Sequence, residues 1–262
     1  GLTITGDAVL GNGAADTLTG LGSLSVSGTT GIYTNTVITS GTQTYSGAVT
    51  LAVSTTLSAS SVTTRSTMAG GTNALIVTAN LITAGAYTGL SSLTVSGTSS
   101  LGGNVTTSGL QTYSGAMTLT GAHRTLTSTA NGNLSLAAVD GLFNLTLANG
   151  SGAITLGAIG TNAALSALTL TGTGLNTLNG DINTSGAIDL KGTSRTTTFD
   201  LVDRIITSTA NSGNGAITLG TTNSAYKLTL NSGSGTITLS GVGVAGDGMS
   251  PTTLAGLIFA GT

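Results

Sequence analysis

Cysteine, tryptophan and glutamate are absent from this chain, proline and histidine occur once each, and only 5% of the residues are charged. Without cysteine there is no disulfide framework and no thiolate metal site. Six Lys and Arg in 262 residues leave out the phosphate-neutralising charge that dominates nucleic-acid affinity, so DNA and RNA are excluded as expected partners. No apolar run reaches the ~18 residues of a membrane-spanning helix, and the most apolar stretch, Leu254 to Ala260, is far shorter. Membrane insertion is therefore not expected. Gly1 stands where a Met would begin a chain, and no charged segment leads into an apolar one. That start reads as a piece of a longer protein or a processed filament subunit.

What is present points one way. Hydrophobic residues make up 39% of the chain and the net charge is only −2, a balance that favours folding over disorder. There are 54 threonines and 42 glycines. β-Branched residues fit a pleated, half-buried surface better than a helix. Triplets of the form apolar-Thr-apolar recur at Leu145 to Leu147, Ile154 to Leu156, Leu168 to Leu170, Ile188 to Leu190, Ile217 to Leu219 and Leu228 to Leu230. Alternation of this kind sends the aliphatic side chains to one face and the hydroxyls to the other. Gly, Asn and Ser between the triplets supply the turns.

Longer units repeat as well. Thr39 to Leu51 returns as Thr107 to Leu119 with 11 of 13 positions identical, an offset of 68, and Ser23 to Thr29 returns as Ser92 to Thr98. In the second half Leu145 to Leu147 with Gly152 to Leu156 returns as Leu228 to Leu230 with Gly235 to Leu239. Tandem similarity of this length favours a one-dimensional stack. Aromatics are 3% of the chain, too few for the core of a sandwich this size but enough for the narrow interior of a parallel β-helix. The expected fold is all-β: one β-solenoid segment over residues 1–262, built from degenerate long repeats that start near 21, 90 and 165. An intertwined trimeric β-prism of the phage tail-fibre kind is the alternative for segments such as Leu93 to Asn104.

At these repeats the chain resembles the Thr/Gly/Asn-rich β-strand repeats of filamentous haemagglutinin-like adhesins and related giant secreted proteins of Gram-negative bacteria. The resemblance implies a right-handed parallel β-helix, export across the outer membrane, and a role in adhesion, biofilm or sheath formation. The function expected is that of an extracellular shaft, sheath or filament component of the bacterial cell surface. Its partners would be further copies of itself or surface glycans, and no enzyme activity, catalytic residue or cofactor is expected.

A few residues stand out against that background. His123, beside Arg124 in a Gly-Ala-His-Arg stretch, lacks the orienting neighbour a general base needs and reads as an exposed turn residue. Gly11 to Thr19 resembles a degenerate copy of the calcium-binding nonapeptide of β-roll repeats, which makes Asp7 and Asp16 candidate calcium ligands. Half of all the charges fall in one stretch with Asp181, Asp189, Lys191, Arg195, Asp200, Asp203 and Arg204. Asp200 and Asp203 would be the pair for acid/base hydrolysis, but near-balanced signs favour salt bridges on a solenoid face or at a subunit contact, with Asp189, Lys191, Arg195, Asp200, Asp203 and Arg204 as the interface. Tyr45 and Tyr113, equivalent in the long repeat, are the aromatics a glycan groove would use. Asn104, Asn133, Asn144, Asn149 and Asn183 lie in Asn-x-Ser/Thr sequons.

Overall fold

Alternation of aliphatic and hydroxyl side chains becomes register in the folded chain. In a computed structural model, which describes residues 1–199, 202–209, 215–243 and 254–260, every described strand pairing is parallel and no helix occurs among the described residues. The strands form a β-solenoid. The chain divides into two compact units, Gly1–Ala130 and Asn131–Thr262.

In the first unit three columns of short strands carry the turns. One column runs through Thr17, Thr36, Thr56, Ile76, Thr94 and Thr112, spaced 18 to 20 residues apart. A second runs through Thr3, Ser25, Thr44, Thr63, Ile82, Ser100 and Thr118, and a third through Val9, Gly31, Thr50, Ala69 and Thr88. These ranks face outward. Their neighbours Leu24, Val26, Val37, Leu57, Val62, Leu75, Val77, Leu93 and Val95 are buried with 1% exposure or less. The second unit is built alike. Leu145, Leu168, Ile188, Ile217 and Ile237 stack in one rank beside Thr146, Thr169, Asp189, Thr218 and Thr238. Each fully buried Leu, Ile or Val contributes about 1.5–3 kcal/mol. Like side chains over like, at the spacing of a parallel ladder, make that burial continuous.

The ladders form within the one chain, as in a solenoid and unlike the intertwined strands of a trimeric prism. The long sequence repeat is not the turn. Gln43 stacks with Leu24 and Val62 in the second column, whereas its counterpart Gln111 stacks with Leu93 in the first. The same holds for Leu145 and Leu228, which belong to different columns of the second unit. What the Gln43 repeat copies is a corner. The Gln43 amide Nε2 donates to the carbonyls of Val37 and Ser58, and the Gln111 amide does the same to Val105 and Thr127.

Corners bring backbone against backbone, and glycine is required there for space. A Cβ on Gly103 would lie 2.0 Å from the Gly85 carbonyl oxygen, and one on Gly47 2.3 Å from that of Gly28. Gly13, in contrast, has open space around it. Gly103→Ala is expected to destabilise the first unit by about 1–3 kcal/mol through overpacking against main chain that cannot give way. Gly13→Ala should leave stability within ~0.5 kcal/mol. Equal denaturation midpoints for the two variants would contradict the close approach.

Candidate functional site

A side chain at a corner lies over its equivalent one turn away, and this decides where the polar groups go. Asp7, in the loop between strands Leu2–Ile4 and Ala8–Leu10, accepts the Thr29 N–H through Oδ1 at 2.7 Å. That backbone bond holds its carboxyl below the usual carboxylate range. Asp140 accepts from the N–H groups of Asn162 at 2.9 Å and Ala163 at 3.2 Å. Burial raises the Asp140 carboxyl, but these donors, with the Asn162 side-chain amide, outweigh it and hold the group low. Asp181 accepts from Ile205 N–H and Asp203 from Lys227 N–H, both at 2.9 Å. Asn80, Asn104, Asn131 and Asn133 do the same for Thr98, Thr125, Ser151 and Ala153. In each pair an Asx side chain clamps the main chain of the next turn, supplying an acceptor where the corner interrupts the ladder.

Asp16, the second calcium candidate, is used locally. Its Oδ2 accepts the N–H groups of Asn12 at 2.7 Å and Gly13 at 3.1 Å. Asp7 and Asp16 therefore lie in successive loops, Asp7 bonded to main chain of the next turn and Asp16 to that of its own loop. Among the described residues no three His, Asp or Glu side chains gather as metal ligands would.

The charged stretch is dispersed by the same geometry. Asp189 bonds the N–H groups of Lys191 at 2.9 Å and Gly192 at 3.3 Å, and Arg204 donates from Nε to the Leu178 carbonyl at 3.2 Å. Asp200 lies outside the described residues. Among the described residues the one ion pair joins Asp203 to Lys227, a turn away and outside the stretch, at 3.9 Å with both side chains more than half exposed. Among the described residues of this stretch, Asp181, Asp189 and Arg204 thus bond main chain and not one another. In a solenoid, residues a few positions apart point along different sides, and partners sit one turn on.

Arg195 departs furthest from expectation: it is fully buried. Its Nε donates to Asn176 Oδ1 at 2.5 Å. Nη1 donates to Asn149 Oδ1 at 3.2 Å and to the carbonyls of Gly150 at 3.3 Å and Thr171 at 2.9 Å. Nη2 donates to the carbonyls of Gly152 at 2.9 Å and Leu175 at 3.4 Å. The acceptors come from the corners of two earlier turns, and every one is neutral. Asn149 and Asn176 are held in turn by their own amides, which donate to Gly132 and Ala153 and to Leu190 and Thr197. Burial pushes the guanidinium down only to about 10, so the charge is present at neutral pH. Arg195 is a strut across three turns and not an interface residue. The linear charge cluster hides this; the signal that finds it is the turn-length offset linking Asn149, Asn176 and Arg195.

The two repeat-equivalent tyrosines form no groove. Tyr45 and Tyr113 are buried, their hydroxyls donating to Gln43 Oε1 at 3.1 Å and Gln111 Oε1 at 3.2 Å. Neither can offer a face to a glycan. Asn149 is buried as well, which closes that sequon in the folded chain, and His123 sits on an exposed turn. The chain matches no protein-family model, no curated protein and no solved structure.

Proposed function

We propose that this chain is a structural segment of an extracellular bacterial fibre or adhesin shaft, whose work is to resist deformation. The observation that carries this reading is the clamp repeated from turn to turn: Asp7, Asp140, Asp181 and Asp203, the groups best suited to acid/base chemistry, each hold main chain of the following turn. Parallel ladders run between turns while aliphatic ranks exclude water inside, so stiffness comes from repetition. A surface with few charges and many Thr and Ser hydroxyls suits export and assembly with further copies. The reading assigns no catalytic residue and no cofactor.

Location and form are tested together. An antibody raised against the chain is expected to label intact source cells and to decorate filaments or rods released from them. Labelling confined to permeabilised cells would overturn the proposal.

A further inference from the structure

Each Asx clamp joins one turn to the next. Asp7 holds Thr29, Asn104 holds Thr125 and Asp181 holds Ile205, each through one exposed bond at a corner. When such a clamp opens, one side chain returns to water and the corners on either side stay paired. A stack held in this way is a sum of turns coupled to their nearest neighbours.

Arg195 is built differently. Its six acceptors lie in two earlier turns: Asn149, Gly150 and Gly152 in one, 43 to 46 residues back, and Thr171, Leu175 and Asn176 in the other, 19 to 24 residues back. The side chain has no exposure, and no carboxylate stands among those partners. A buried cation is tolerated only while its donors are met, because a buried charge stripped of its partners strongly destabilises the folded state. Opening the Asn149 corner removes three of the six acceptors at once, so the guanidinium must leave for water. Its departure then strips Thr171, Leu175 and Asn176 in the adjoining turn. The same sequence runs from the other corner. Closing obeys the rule in reverse: neither corner alone satisfies the guanidinium, so it enters after both have formed.

We infer that Arg195 is a latch that makes three successive turns fold and open as one unit, with its insertion as the closing step, while the turns around them open separately. The stack thus carries one place where coupling skips a turn. This goes beyond stiffness by repetition and holds wherever the chain is located.

Native-state hydrogen exchange of the full chain in rising denaturant tests it. Three corner amides report on the three turns: Gly152, donating to the Asn149 carbonyl at 3.0 Å, Thr173 to Gly150 at 2.8 Å, and Thr193 to Gly172 at 2.9 Å. They are expected to share one opening free energy and one dependence on denaturant. Ile217 and Gly235, further along the unit and donating to Thr236 and Ser232, should show values of their own. Asn149→Ala removes one acceptor of the latch and keeps the guanidinium. Exchange at Thr193 should then quicken about tenfold, by the same factor as at Gly152, for loss of one hydrogen bond to a charged group, with Ile217 unchanged. Separate opening of Gly152 and Thr193 in the wild type would overturn the latch, as would an effect of Asn149→Ala confined to Gly152 or spread equally to Ile217.

Discussion

Replacing Arg195 with methionine is expected to lower the stability of the second unit by about 3–5 kcal/mol, the range found when one partner of a buried charged network is removed. Methionine fills most of the volume but has no donors. Two carboxamide oxygens and four main-chain carbonyls lose the guanidinium at once, and each acceptor left dry costs about 1–3 kcal/mol. Relief from burying the charge offsets part of this, which keeps the total below the sum. Arg195→Lys should fare little better, because an ammonium is a point charge with three donors and cannot span acceptors arranged for a planar fork. Hydrogen exchange should show the loss first at the corners holding Asn149, Thr171 and Arg195. Wild-type stability in Arg195→Met would mean that the strut bears no load.

Alkaline pH should strike the first unit with comparable force. Tyr45, Tyr87 and Tyr113 are all buried. Burial raises each phenol far above its usual range, and the charge a neighbouring Tyr87 would carry adds to the rise for Tyr45 and Tyr113. The Tyr87 hydroxyl is hydrogen-bonded to Thr64 Oγ1 at 2.8 Å. Above pH ~10 the unfolded chain loses these protons while the folded chain keeps them, so the folded state binds more protons and stability falls as pH rises. Each group contributes about 1.4 kcal/mol per pH unit, and three together about 4. The stabilisation is fully present below pH ~10 and disappears above it. Tyrosinate absorbance of these three residues should therefore appear in one step with loss of the β-sheet circular dichroism signal, and Tyr113→Phe should make the step shallower by about one third. Ionisation of all three in a chain that keeps its sheet signal would contradict the burial.

Much of the fold is legible in the sequence because a strand with one wet face leaves a period of two. The triplets at Leu145 to Leu147 and Leu168 to Leu170 mark both the strands and the buried rank they join. The length of the turn is less visible. Corners vary, turns take 17 to 22 residues in one unit and 20 to 29 in the other, and the strongest sequence repeat copies a corner instead of a turn. The roles of single side chains are least visible. Arg195 looks like a surface charge and Tyr45 like a platform until the column each belongs to is known.

The displacement of Gln111 onto a different column from Gln43 has a genetic consequence. Because the copied stretch is not a whole number of turns, duplication rotates as it lengthens. A motif gained once on one flank would reappear on another, so growth by copying would spread its contacts around the circumference without further mutation.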